Sequence, residues 1–154
     1  DVGLFKGTFT KTAFMPLHLI KLSVGIETVD HLAAVQARRR ADNGESKLWH
    51  QTRQKPTRGD ELLDGGSIYW VIKGVLQVRQ RIVGLETFRD TEGVRRCRIM
   101  LDPTLTLTDH RRRRAFQGWR YLSAADAPRD SGDSAENADM PPELVRELRS
   151  LGLL

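Results

Sequence analysis

Residues 60–82, DELLDGGSIYWVIKGVLQVRQRI, hold most of the groups in this chain that could do chemistry. Asp60, Glu61 and Asp64 fall within one helical turn, just before the Gly65-Gly66 break. Lys73 precedes Gly74 at a tight turn, and Tyr69 and Trp70 lead into a segment bearing Arg79 and Arg81. Two chemistries suit such residues. A carboxylate base with a phosphate-holding lysine would serve a small hydrolase or transferase acting on a nucleotide or other phosphorylated substrate. Arginines interleaved with aromatic rings would instead hold a flat, charged ligand without transforming it. No nucleophile elbow, phosphate loop or activated cysteine accompanies the carboxylates, and capping or surface charge is the better account of them. No catalytic residue is therefore assigned, and binding is the leading expectation.

The elements that must position these residues follow from pattern. Leu17, Leu19 and Lys21 alternate with His18, Ile20 and Leu22, as in a central strand apolar on both faces. Thr28 is a natural N-cap, with Asp30 in the first turn. Val29, Leu32, Ala33 and Val35 give the following helix a buried side, and Asn43-Gly44 ends it. Trp49 and His50 point opposite ways in a short strand, and residues 59–64 form a single helical turn. Residues 67–72 are a strand of β-formers, and Lys73-Gly74 is a turn or bulge.

Residues 75–88 form a long strand in which Leu76, Val78, Gln80 and Ile82 share one face, while Gln77, Arg79 and Arg81 share the other. Gly84 marks a bulge, and residues 90–93 a hairpin loop. Folding this hairpin about its loop sets Ile82 opposite Leu101 and gathers Arg79, Arg81, Arg96 and Arg98 on the far face. Asp102-Pro103 is expected to break the second strand, with Leu105 and Leu107 in a separate short one. Residues 115–122 read as a last strand. Leu144, Leu148 and Leu151 form an apolar stripe for a short C-terminal helix.

The fold class is α+β: a small, curved, mostly antiparallel barrel of five to six strands, one long helix near the start and a short helix at the end. Residues 1–14 look like a non-native or disordered extension. Residues 15–154 form a single domain, of which 123–139 is an acidic, partly disordered loop.

Charge points the same way as the aromatics. The chain has 154 residues, a net charge of +5 and a pI of about 9.8. Residues 94–120 hold eight arginines against two aspartates, whereas residues 123–143 hold one arginine against six carboxylates. This separation suits a basic face and an acidic strap, or a surface that neutralises itself. The single cysteine, Cys97, excludes an intramolecular disulfide and a cysteine-based zinc site, and the four histidines show no metal-ligand spacing. No metal or cofactor is expected. No apolar run reaches the roughly 18 residues of a membrane span, and a cytoplasmic location is expected.

The strings MPLHLIKL, DELLDGGSIYWVIKGVLQVRQRI, RRCRIMLDP, RAFQGWRYL, DAPRD and MPPELVRELRSLGLL cover most of the chain from Met15. They resemble a bacterial family of proteins catalogued as domain of unknown function 1489. That resemblance brings no reaction, cofactor or catalytic residue. The acidic-Gly turn, the YWVIKG strand and the bulged strand ending Val83-Gly84-Leu85-Glu86 are similar to PUA-like barrels, including ASCH and EVE domains. That similarity implies RNA or modified-base binding. The expected site is thus an RNA or nucleotide face of Arg79, Arg81, Arg96, Arg98 and Lys73, with Trp70 and Trp119 as stacking rings. An enzyme and a protein-interaction scaffold are the alternatives, and the oligomeric state is left open.

Overall fold

The structure, a computed structural model, describes residues 15–44, 47–131 and 150–152. Among the described residues, six strands and two helices follow in the order β1 (His18–Leu22), α1 (Val29–Asp42), β2 (Trp49–Thr52), α2 (Gly59–Leu63), β3 (Ser67–Ile72), β4 (Val75–Arg89), β5 (Arg95–Arg112) and β6 (Trp119–Leu122). They form one mixed sheet with strand order β2-β5-β4-β3-β1-β6. Of these described strands only β1 and β3 pair in parallel, and the connection between them carries α1, as a parallel pair requires. The protein is α+β.

The local signals act as their chemistry requires. Thr28 is extended, and its Oγ1 accepts a 3.0 Å hydrogen bond from the His31 N–H at the start of α1; Asp30 lies in the first turn and Arg39 and Arg40 in the last. Ile72 pairs with Val75 across a two-residue turn whose members, Lys73 and Gly74, both have positive φ, 51° and 80°. That conformation matches the twist of a tight hairpin. Gly66 is fixed by space: a Cβ there would lie 2.2 Å from the Leu17 carbonyl oxygen and 2.5 Å from that of Leu62. Only glycine lets the end of α2 pass this close to the start of β1.

The face of the sheet that packs against α1 and α2 holds the main core. Leu19, Ile68, Trp70, Ile72, Val78, Ile82, Cys97, Ile99 and Leu101 pack there with Leu32 of α1 and Leu62 of α2. A second cluster on the other face joins Ile20, Tyr69, Val71, Leu76 and Leu122 to Phe116 and Ala127. The hairpin register is the one expected, with Ile82 opposite Leu101.

Three expectations are corrected. First, the sheet does not close into a barrel. Its edges, β2 and β6, are four residues each and share no ladder. The two ends meet through side chains instead: Trp119 Nε1 donates to the Gln54 carbonyl at 2.8 Å, and the Arg58 N–H donates to the Tyr121 hydroxyl at 3.1 Å. Second, Leu76 does not share a face with Val78. The register shifts between them, so Leu76 pairs with Val71 and turns to the second cluster. Third, Asp102-Pro103 does not end its strand. β5 runs through it because residues 102–104 are absorbed in a bulge between the Ile82–Leu101 and Gln80–Leu105 pairs, where Asp102 Oδ1 accepts the Thr104 N–H.

The helix α1 also buries a polar residue the apolar pattern passes over. Its inward stripe is Leu32 and Gln36, while Ala33 is exposed. Residues 1–14, 132–149 and 153–154, including Leu144 and Leu148, lie outside the described residues; Leu151 is exposed.

Candidate anion-binding pocket

Of the four arginines expected on one face, the protein itself engages three. Arg79 donates from Nε and Nη2 to the two carboxylate oxygens of Asp130, both at 2.8 Å. This pair holds the Asp130 carboxyl below its ordinary range. Arg96 Nε lies 2.6 Å from Asp90 Oδ2 at the hairpin loop. The Arg98 guanidinium lies 4.1 Å from the Phe88 ring centroid and 4.9 Å from that of Trp49, with Glu86 at 4.0 Å. Arg81 is exposed and has no ion pair among the described residues.

The remaining expected residues are placed as follows. Lys73 Nζ is 2.7 Å from Glu27 Oε1. Trp70 is 3% exposed and its Nε1 donates to Gln80 Oε1 at 3.1 Å, so it is core rather than a surface for a base. Trp119 is half-buried, edge-on to Tyr121, with its N–H taken by Gln54. Of the three carboxylates, Glu61 is paired with Arg58 at 2.7 Å and none lines a pocket described below. Cys97 is fully buried, which raises its thiol pKa.

A site absent from those expectations lies between α1 and the sheet face it packs against. A cavity of about 120 Å³ opens there, lined by Lys21, Arg39, His50, Gln36, Trp49 and Trp70 among others. Each polar residue arrives by a different element. Lys21 lies on β1 in register with Trp70 of β3 on one side and Trp119 of β6 on the other. His50 comes from β2 and stands edge-on to Trp70, with ring centroids 5.2 Å apart. Arg39 comes from the last turn of α1. None of the described lining residues is a carboxylate.

The electrostatics follow from that set. Burial lowers the Lys21 pKa. Burial first, then the Lys21 and Arg39 charges, push His50 down to about 4, so its imidazole is neutral at pH 7. His50 Nε2 is buried without a hydrogen-bond partner. The floor, by contrast, is fully satisfied. Gln36 and Gln80 exchange amide hydrogen bonds of 2.8 and 2.9 Å, and Gln80 also donates to the Asp102 carbonyl and accepts from Trp70. Two cations and a neutral imidazole thus face one space over a rigid polar floor, which is an arrangement suited to an anion. A shallower depression lined by Arg39, Asp42, Asn43 and Trp49 shares two residues with the cavity.

One signal for this site is present in the sequence: Lys21 continues the apolar face of Leu17 and Leu19, and a lysine on an interior strand face calls for a purpose. His50 and Arg39 carry no such signal.

Among the described residues, no group of three His, Cys, Asp or Glu side chains is placed to hold a metal ion, and no helix is long and apolar enough to cross a membrane. No curated protein matches the chain, and no solved structure matches it, so the PUA-like similarity gains no support. A family model does match, over residues 19–154, and the chain belongs to that family, described as protein of unknown function DUF1489.

Proposed function

We propose that the protein is a binding module for a nucleotide or RNA, and that the pocket beneath α1 receives the ligand's anionic group. The observation that carries this reading is the convergence of Lys21, Arg39 and His50 on one cavity without a carboxylate among its described lining residues. Cations bordering one cavity without a partner repel one another, and an anion between them relieves the repulsion.

Trp49 links the cavity to the arginine face, because the residue borders the pocket and its ring packs against Arg98. It takes the stacking role expected of Trp70 and Trp119, which are committed to the core and to the sheet's closing contact. Arg81, the open member of the arginine set, and the edge of Arg98 supply further contacts for a longer strand.

Fluorescence anisotropy with a labelled single-stranded RNA tests the reading. Binding at low salt should weaken with a log–log slope of about −0.7 per phosphate neutralised. Arg39→Gln should lower affinity and flatten the slope, while Trp49→Ala should lower affinity alone, because stacking releases no counterions. Failure of both RNA and mononucleotides to bind at low salt would remove the reading.

A further inference from the structure

We infer that the cavity beneath α1 recognises a terminal phosphate monoester, with the attached nucleoside lying outside it in the depression beside Trp49. This rests on the anion-binding reading above and names the ligand end that the site selects. Size decides first. A cavity of about 150 Å³ is filled by benzene, so a space of about 120 Å³ takes one phosphate or one six-membered ring and leaves a nucleoside outside.

Charge decides between those two. Lys21 and Arg39 offer two positive charges, neither with an ion pair among the described residues. A monoester at neutral pH carries close to two negative charges, whereas a phosphodiester within a strand carries one. The monoester is also a chain end, which a small cavity can accept; a mid-strand phosphate must let the chain continue on both sides. The neutral base is the poorer occupant, since it would leave both cations uncompensated.

The unpartnered Nε2 of His50 fits the same ligand, because in its Nε2–H tautomer the imidazole donates to a phosphate oxygen. The depression is bordered by the residue types a nucleoside needs, Trp49 for a base and Asp42 for ribose hydroxyls, and Arg39 borders both spaces.

The test compares ligands that differ only at the end group, at matched ionic strength: AMP against adenosine, and a 12-residue RNA with a 5′-phosphate against the same RNA with a 5′-hydroxyl. The expected result is that AMP and the phosphorylated RNA each bind at least tenfold more tightly than their partners. Inorganic phosphate should compete with both, and Lys21→Gln should erase the difference. Arg39→Gln, on an exposed helix position, should reduce the difference in a protein of unchanged melting temperature. A strong advantage for AMP alone would identify the free mononucleotide as the source of the monoester, and one for the RNA alone a strand end. Equal binding with and without the phosphate overturns this inference while leaving the RNA-binding reading intact. An advantage that survives in both variants places the phosphate elsewhere and overturns it as well. Absence of all binding removes both readings.

Discussion

Arg79 grips both oxygens of the Asp130 carboxylate at 2.8 Å, across 51 residues of chain, and so fastens the segment after β6 to the middle of the sheet. Backbone contacts run alongside: Asp109 N–H to the Arg129 carbonyl at 2.8 Å and Ser131 N–H to the Leu107 carbonyl at 3.0 Å. The separation of basic and acidic segments in the sequence is therefore partly settled inside the fold. Asp130→Ala should cost about 1 kcal/mol in urea unfolding, more than an exposed pair and less than a buried one. It should also speed proteolysis within 123–131. An unchanged urea midpoint would show the pair to be ornamental.

Gln80 is fully buried and makes four hydrogen bonds. Gln80→Leu keeps the volume but strands the Gln36 amide, the Trp70 N–H and the Asp102 carbonyl. The expected loss is about 2–5 kcal/mol, larger than a typical surface change. The measurement is the denaturant midpoint, and a loss below about 1 kcal/mol would mean that water replaces the partners.

Acid should destabilise the protein above the range where its carboxylates titrate. His18 is lowered to about 4, by burial and then the Arg79 charge, and its Nδ1 accepts from the Ser67 N–H. His50 is lowered to about 4 by burial, Lys21 and Arg39. Both pKa values lie below the unfolded value near 6.5, so the unfolded chain binds protons first. The stability they contribute is complete above pH 6.5 and is lost as pH falls toward 4, by at most about 1.4 kcal/mol per pH unit for each group. Urea midpoints across this range should fall, and His50→Gln should reduce the slope. A flat profile between pH 6.5 and 4.5 would contradict both assignments.

Charge reversals should separate arginines that the face presents from those that it uses. Arg81→Glu, at an exposed position with no ion pair among the described residues, should change stability by less than about 0.5 kcal/mol. Arg98→Glu removes a cation held between Phe88 and Trp49 and sets a like charge beside Glu86, for an expected loss of about 1–3 kcal/mol. Thermal melts of the two variants check the contrast.

Much of the fold was legible in the sequence because local chemistry specified it. Thr28 announces α1, Lys73-Gly74 the β3–β4 turn, and the alternation either side of residues 90–93 the Ile82–Leu101 register. What was not legible depends on partners distant in sequence. The bulge after Leu76 shifts the register with no local preference to mark it, and Asp102-Pro103 signals an irregularity without fixing whether the strand ends there or bulges and continues. Closure hinged on whether β2 and β6 form a ladder or touch only through Trp119 and Tyr121. Asp130, which neutralises Arg79, follows β6 and has no tie to β4 that a pattern can show. The pocket draws Lys21, Arg39 and His50 from three elements, so only the oddity of Lys21 on an apolar face points to it.

The most direct test of the pocket follows the His50 imidazole by NMR while AMP is added at low ionic strength. Its resonances should shift saturably, and its pKa should rise from about 4 as the bound phosphate offsets Lys21 and Arg39. Lys21→Gln should abolish the response. If AMP binds and the His50 signals do not move, or if neither AMP nor the 5′-phosphorylated RNA binds, the cavity beneath α1 is not the anion site.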